Sequence, residues 1–406
     1  MYLTFAWRYF KAKKSANAIN IISWVTVGVI AFATCCQVLV LSVFNGFESL
    51  VKSLYSSFYS DLKIVPASGK TFLLTPQQLK AVSTQAGIKN FSMIVEEKAL
   101  LQNEDAQTVL YLKGVDSNFS KVSGVPYKVV NGKFFTGTAS NPGIILGSGL
   151  QNAAAINLSP AFQPPQLTII LPKKNNNSID ALESLSEGNL TATGIFSIQQ
   201  DFDNQYAFTN IDFIKQQMGM QANEYSAMEL SLLPGTYINE AQKQLEKTLG
   251  NQFKVSSRYQ QNTSLYQTMQ LEKWAIYAVL TLILIIAAFN MVSALTMLVL
   301  EKKKDISVLQ SMGGTQKMIQ KIFISEGLLL GTLGAAAGIL LAIFICLLQQ
   351  RFHLIKLEGG SFLIDYFPVK LLFPDFLLVA ITAIAIAFLA SWFPAYKASR
   401  QPLNLR

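Results

Sequence analysis

Residues 271–314 read LEKWAIYAVLTLILIIAAFNMVSALTMLVLEKKKDISVLQSMGG. From Trp274 to Leu300 no side chain is charged, and the run exceeds the ~20 residues that cross a hydrocarbon core as helix. It ends abruptly in Glu301-Lys302-Lys303-Lys304-Asp305. A spanning helix that stops on a lysine cluster sets both the fold class and an orientation, because basic loops stay on the cytoplasmic side.

Outward from this stretch, residues 15–47, 327–350 and 376–396 are also uncharged. Four crossings absorb the 51% hydrophobic and 14% charged composition, against about 25% charged in an average soluble domain. Between 48 and 272 the composition is ordinary, with 17 basic and 18 acidic residues, so the net charge of +9 sits beside the spans. Arg8, Lys11, Lys13 and Lys14 precede the first span. Lys302, Lys303, Lys304, Lys317 and Lys321 separate the second and third, and Lys397, Arg400 and Arg406 follow the fourth. All lie on one side if the chain crosses four times. Every basic cluster abuts a span, which points to membrane lipid and not nucleic acid as its partner.

The expected fold is membrane α-helical, four transmembrane helices with a large extracytoplasmic α+β domain of two lobes. The boundaries follow as 1–18 cytoplasmic interfacial helix, 19–45 first span, 46–272 extracytoplasmic domain with stalks and 273–300 second span. After these come 301–321 cytoplasmic loop, 322–350 third span, 351–373 short outer loop, 374–396 fourth span and 397–406 cytoplasmic tail. Both termini are then cytoplasmic. Ala31-Phe32-Ala33 resembles a signal cleavage site, but the uncharged run continues through Phe44, too long for a signal h-region. Cys35, Cys36 and Cys346 all fall in spans, which leaves the insert without a disulfide.

In the insert, Leu62–Val65 reads as a strand. Thr75-Pro76-Gln77-Gln78 reads as a helix start with Thr as cap, and 91–102 and 106–115 as a hairpin. Strands are expected near 143–146, 166–171, 191–198, 225–232 and 252–256, with an amphipathic helix over 236–249. Phe47, Leu50, Val51, Leu54 and Phe58 extend the first span outward as a stalk, and 259–273 leads into the second span as another. Residues 173–190 are polar, turn-prone and long for a β connection, either a solvated loop or a projecting functional one. Ile179, Leu182 and Leu185 supply a small apolar strip there.

Enzyme chemistry finds no foothold. There is no GxxxxGK[ST] loop, no GxSxG elbow and a single histidine, His353. Ser49-Leu-Val-Lys52 and Ser60-Asp-Leu-Lys63 fit SxxK only loosely, without KTG or SDN. No metal site is expected, and ion coupling lacks acids inside the spans. Glu326 reads as a solvated cap at the edge of the third span; Gln37 and Asn290 read as buried interhelical hydrogen bonders.

The loop after the second span reads as a short helix. Asp305 caps its start, Ile306, Leu309 and Met312 form one apolar edge, and Gly313-Gly314 ends it, with Thr315 capping the next helix. That edge needs a cover, either the membrane interface or a soluble subunit. Gly327, Gly331, Gly334 and Gly338 form a small-residue stripe on the third span, suited to close packing with another helix, such as that of a second four-span protein.

RYFKAKK (8–14), LSVFNGFE (41–48), the whole of 271–338 and SWFPAYKASRQPL (391–403) together resemble the four-span permeases of ABC transport systems, typified by the cell-division permease and the macrolide exporter. Within that group the lipoprotein-releasing permeases are most similar, on Phe44-Asn45-Gly46-Phe47-Glu48 and Ala288-Phe289-Asn290. The resemblance implies a bacterial inner-membrane transport subunit that binds no cofactor itself. ATP and magnesium would sit on a partner cytoplasmic ATPase dimer, and a second permease chain, identical or not, would complete the transporter. The helix from Asp305 to Met312, with Gly313, would be the ATPase-coupling helix. Triacylated lipoproteins would enter between the first two spans, where Val38, Leu41, Phe44, Ile276 and Val279 supply an apolar lining. ATP-driven closure, carried by the stalks, would pass them to a periplasmic chaperone. Residues 173–190 occupy the place of the chaperone-binding hook of one family paralogue but lack its internal proline and arginine. The alternative is a permease of the same architecture that exports peptides or drugs, or mechanically regulates a periplasmic partner.

Overall fold

The computed structural model describes residues 17–158, 164–174, 184–357 and 366–400. The chain divides into two compact units, one from Met1–Leu50 with Gln267–Arg406 and the other Val51–Tyr266. The interfacial helix expected over 1–18 lies almost wholly outside the described residues.

Helices Asn17–Phe58, Thr263–Glu301, Gln316–Phe352 and Phe373–Ser399 are each long and apolar enough to cross a membrane. In lipid, hydrophobicity does not drive helices together, so close backbone approach has to do so. The third helix provides it. A Cβ on Gly327 would stand 2.3 Å from the Ser391 Cβ, and one on Gly331 2.3 Å from the Ala387 Cβ, both on the fourth helix. On the first helix, a Cβ at Gly334 would meet Ile30 at 2.8 Å and one at Gly338 the Ala31 carbonyl oxygen at 2.3 Å. The glycine stripe is therefore filled from within its own chain.

Polar contacts fix the remaining pairs. Gln37 Nε2 donates to Thr281 Oγ1 at 3.2 Å, joining the first two helices, and the Tyr277 and Thr382 hydroxyls join the second to the fourth. Asn290 differs from the expectation: it faces out of the bundle. Glu326 differs too, being 2% exposed with one carboxylate oxygen lacking a hydrogen-bond partner. Its position immediately before Gly327, where the glycine stripe begins, carries it inside. His353 ends the third helix in the left-handed region at φ 49°, and its ring lies 3.9 Å from that of Tyr366.

Among the described residues the inserted unit holds twelve strands: β1 Leu62–Pro66, β2 Phe72–Leu73, β3 Ile88–Asn103, β4 Ala106–Val115, β5 Val129–Gly132 and β6 Gly143–Gly147. The others are β7 Gln166–Pro172, β8 Leu185–Phe196, β9 Tyr206–Asn210, β10 Glu224–Tyr225, β11 Ala227–Leu232 and β12 Phe253–Ser257. Ten of them form one mixed sheet, ordered β12-β1-β11-β3-β4-β9-β6-β8-β5, with β7 bridging β3 and β8. The two α+β lobes share this sheet because β3 is 16 residues long. Its first half pairs β11 and its second half pairs β7, while β4 returns alongside through a two-residue turn with Glu104 at φ 52°. Thr75 and Gln78 make the reciprocal cap expected of them, with Pro76 in the first turn.

The end of the first long helix belongs to this unit. Val51, Leu54, Tyr55 and Phe58 pack on a core of Ile94, Val115, Phe119, Phe208 and Ala227. Phe58 stacks on Phe202 at 4.1 Å, and Tyr55 donates to Asp201 at 2.9 Å. On the return side the helix is not continuous from 259: Arg258–Gln261 ends at Asn262 (φ −139°, ψ 58°), and Thr263–Glu301 starts afresh.

Candidate functional site

The loop between the second and third long helices folds into helix Lys303–Ser311. It begins two residues before Asp305, so Asp305 does not cap it; it sits in the first turn and pairs with Lys302 at 3.1 Å. The stop is a complete Schellman motif. Gly313, at φ 89°, donates to Gln310 at 3.0 Å and Gly314 donates to Leu309 at 2.8 Å. Thr315 then caps the third helix through the Met318 amide.

The apolar edge is split between two jobs. Ile306 is 2% exposed and packs with Leu298, Val299, Ile319, Phe323, Ala395 and Ala398, rooting the helix in the bundle. Leu309 is half-buried. Met312 is 80% and Val308 58% exposed. The surface on offer is therefore Val308 and Met312 with the end of the helix, a correction to the edge expected from Ile306, Leu309 and Met312 together. Val308 was missed because the 3.6-residue pattern put it beside the apolar edge.

The five positions expected to line an acyl path do not share one surface. Val38 and Leu41 are 2% and 1% exposed, packed with Cys35, Ala342 and Val379 inside the four-helix unit. Their side chains hold the first helix against the third and fourth, which removes them from an open lining. Phe44 and Ile276 are half-buried and Val279 is 59% exposed. On the second helix Leu282, Ile286 and Phe289 continue the outward apolar face from Val279.

At one end of this unit lies a clamp that the sequence signature Phe44-Asn45-Gly46-Phe47-Glu48 encodes without revealing. Asn45 donates to Asp375 at 2.5 Å, Lys273 donates to Asn45 at 2.9 Å, and Lys273 and Asp375 pair at 3.3 Å. The first, second and fourth helices meet in this one network. Gly46 leaves room for residues 366–370 to cross: a Cβ there would stand 2.1 Å from the Pro368 carbonyl oxygen. Lys370 closes the passage, its amide on the Ser42 carbonyl at 2.9 Å and its ammonium on Ser49 Oγ at 3.1 Å.

In the inserted unit, β7 and β8 pair as far as Pro172 opposite Leu185. The polar connection is thus shorter than 173–190, since 185–190 is strand. Ile179 and Leu182 lie outside the described residues, and Leu185 is 41% exposed at the head of β8. The root is pinned. The Lys173 amide donates to Ser184 and that of Lys174 to Met218, at 2.8 and 3.0 Å, and the Lys174 ammonium reaches the buried Glu224. Burial pushes the Glu224 carboxyl up, but Lys174, Thr71 at 2.5 Å and the Gln221 amide outweigh it and hold it below the usual range. Among the described residues no group of three or more His, Cys, Asp and Glu is placed to hold a metal ion.

Two family models match. The MacB-like periplasmic core domain covers residues 23–248, and the FtsX-like permease C-terminal domain covers 277–403. Among curated proteins, the lipoprotein-releasing system transmembrane protein LolC of Neisseria meningitidis serogroup B is 26% identical over 417 residues, 97% of this chain and 95% of that protein. LolE of the same system in Haemophilus influenzae is 25% identical over 98% of this chain and 97% of its own length. LolC of Xylella fastidiosa is 23% identical over 97% and 95%.

Proposed function

This chain belongs to the family of permeases that join a MacB-like periplasmic core domain to an FtsX-like C-terminal half, and we propose that it is the membrane subunit of an ABC transporter that releases lipoproteins from the inner membrane. The observation that carries the reading is the reach of the similarity, 95% or more of both chains for LolC and LolE proteins alike. The basic flanks put the termini and the loop helix in the cytoplasm and the inserted unit in the periplasm.

The work is divided accordingly. A separate ATPase pair hydrolyses ATP and grips Val308 and Met312, while Ile306 passes the displacement to the ends of the second, third and fourth helices. A second permease chain stands against the outward faces, since the glycine stripe is already used. Acyl chains lie along the outward surface of the second helix near Val279, with Phe44 and Ile276 beside it. Each buried methylene holds an acyl chain by about 0.8 kcal/mol, so three chains resist spontaneous release and need ATP-driven work. A periplasmic acceptor docks at the β7–β8 connection whose root Glu224 fixes.

Purification of the intact chain in mild detergent tests the assembly. An ATPase and a second permease should accompany it, and triacylated lipoprotein should stimulate ATP hydrolysis. Recovery of the chain alone, with no ATPase able to bind it, contradicts the reading.

A further inference from the structure

Under the end of the first long helix the sheet carries two lysines and two glutamates on one face. In strand order Lys63 lies on β1, Glu229 on β11, Glu96 on β3 and Lys113 on β4. Lys63 is directly opposite Glu229, and Glu96 directly opposite Lys113. Neighbours in that position have Cβ atoms about 5 Å apart, so side-chain rotation alone can join them. Neither does so. Lys113 bonds Glu229 at 2.7 Å, past β3, and Lys63 bonds Glu96 at 3.6 Å, past β11.

The cause is visible above Lys113. Its ammonium lies 5.2, 5.3 and 5.9 Å from the ring centres of Phe58, Phe119 and Phe208. Phe119 and Phe208 belong to the inserted fold, whereas Phe58 is the last residue of the helix. The rings draw the cation into the core, where both pair members are 2% exposed. A buried pair of this kind adds little net stability and serves better as a register or switch element. Glu229 keeps its Oε2 buried and without a hydrogen-bond partner. Lys63 feels both acids: burial pushes its ammonium down, and Glu96 and Glu229 more than reverse that.

We propose that these four residues form a two-state joint between the helix end and the sheet, exchanging the observed pairs for Lys63–Glu229 and Lys113–Glu96 when Phe58 shifts. In the resting state Phe58 holds Lys113 on Glu229. Withdrawal of the ring lets Lys113 fall back on Glu96 and frees Glu229, whose open oxygen takes Lys63. The four charges keep their partners in both states, so the helix end moves without stranding a buried ion. The four are positioning residues for force transmission, which rests on the transport reading above.

Glu96→Gln separates this from a merely structural role. Its resting bond to Lys63 is long and partly exposed, with both side chains at 23%, so the resting fold loses little. The exchanged state loses its Lys113 partner. The experiment uses the full transporter in lipid, with Cys35, Cys36 and Cys346 replaced by alanine and spin labels at Ser53 and Val109, both exposed. The parent should change its interspin distance on ATP binding. Glu96→Gln should melt with the parent and hydrolyse ATP, yet show no distance change and release substrate about tenfold more slowly. Glu96→Asp should restore both. A Glu96→Gln protein that moves like the parent, or loses motion only by losing its fold, overturns the proposal. The distance readout needs no lipoprotein, so it stands even if the substrate assignment fails.

Discussion

Asn45 donates its side-chain amide to the Asp375 carboxylate at 2.5 Å, bridging 330 positions of sequence between the first and fourth long helices. Lys273 makes the bridge three-way. Asn45→Ala leaves Lys273 and Asp375 short of partners and should cost about 1–3 kcal/mol, the penalty for a buried polar group left unmade. Gly46→Ala should cost a similar amount by forcing residues 366–370 outward. Thermal melting in detergent reads both; unchanged melting of either variant removes the clamp from the account.

Val308 and Met312 should carry the ATPase contact while Ile306 carries the fold. Val308→Glu and Met312→Glu should abolish co-purification of the ATPase with melting unchanged. Ile306→Glu should lower the melting temperature, because it buries a charge among Leu298, Ile319 and Phe323. Normal ATPase recovery with both exposed variants would mean the docking surface lies elsewhere.

Gly331→Ala should destabilise the four-helix unit by about 1–3 kcal/mol, since its new methyl group meets the Ala387 Cβ at 2.3 Å. No other side chain is that near. Ala387→Gly should therefore recover most of the loss in the double variant. Additive losses would show that the clash is not the cause.

Glu224 has a folded-state pKa below the ordinary 4.5. Its ionised form is the bonded one, so the stability it contributes is present above the unfolded value and lost as pH falls through the folded value. Melting curves from about pH 6 to about pH 3 should show the parent and Glu224→Gln converging at the acid end. A constant gap across that range would contradict the pairing with Lys174 as its source.

A photo-crosslinker at Val279, 59% exposed, should capture a bound lipoprotein, and ATP should reduce the adduct. The same probe at Leu41, 1% exposed, should not. Capture at Leu41 alone would move the acyl path into the bundle.

The sequence disclosed most where one residue type admits one conformation or one environment. Charge-free runs located the four long helices, and Thr75-Pro76-Gln77-Gln78 and Gly313-Gly314 marked a helix start and a helix stop. Which way a spanning helix faces was not legible, because core and lipid are equally apolar. Val38 and Leu41 look no different from Val279, and only the packing separates them. Asn45, Lys273 and Asp375 escaped because their network joins residues 45, 273 and 375, and no local pattern records it. The pairing of Lys113 with Glu229 is invisible for the same reason: strand order β1-β11-β3-β4 is not sequence order.

Release itself is the most direct test. The chain is placed in proteoliposomes with the proposed ATPase and second permease, a labelled triacylated lipoprotein and a soluble acceptor. The lipoprotein should leave the bilayer for the acceptor only with hydrolysable ATP, and a version lacking its acyl chains should not compete. Transfer that ignores ATP, or transport of an unacylated peptide or drug in preference, would contradict lipoprotein release as the work of this permease.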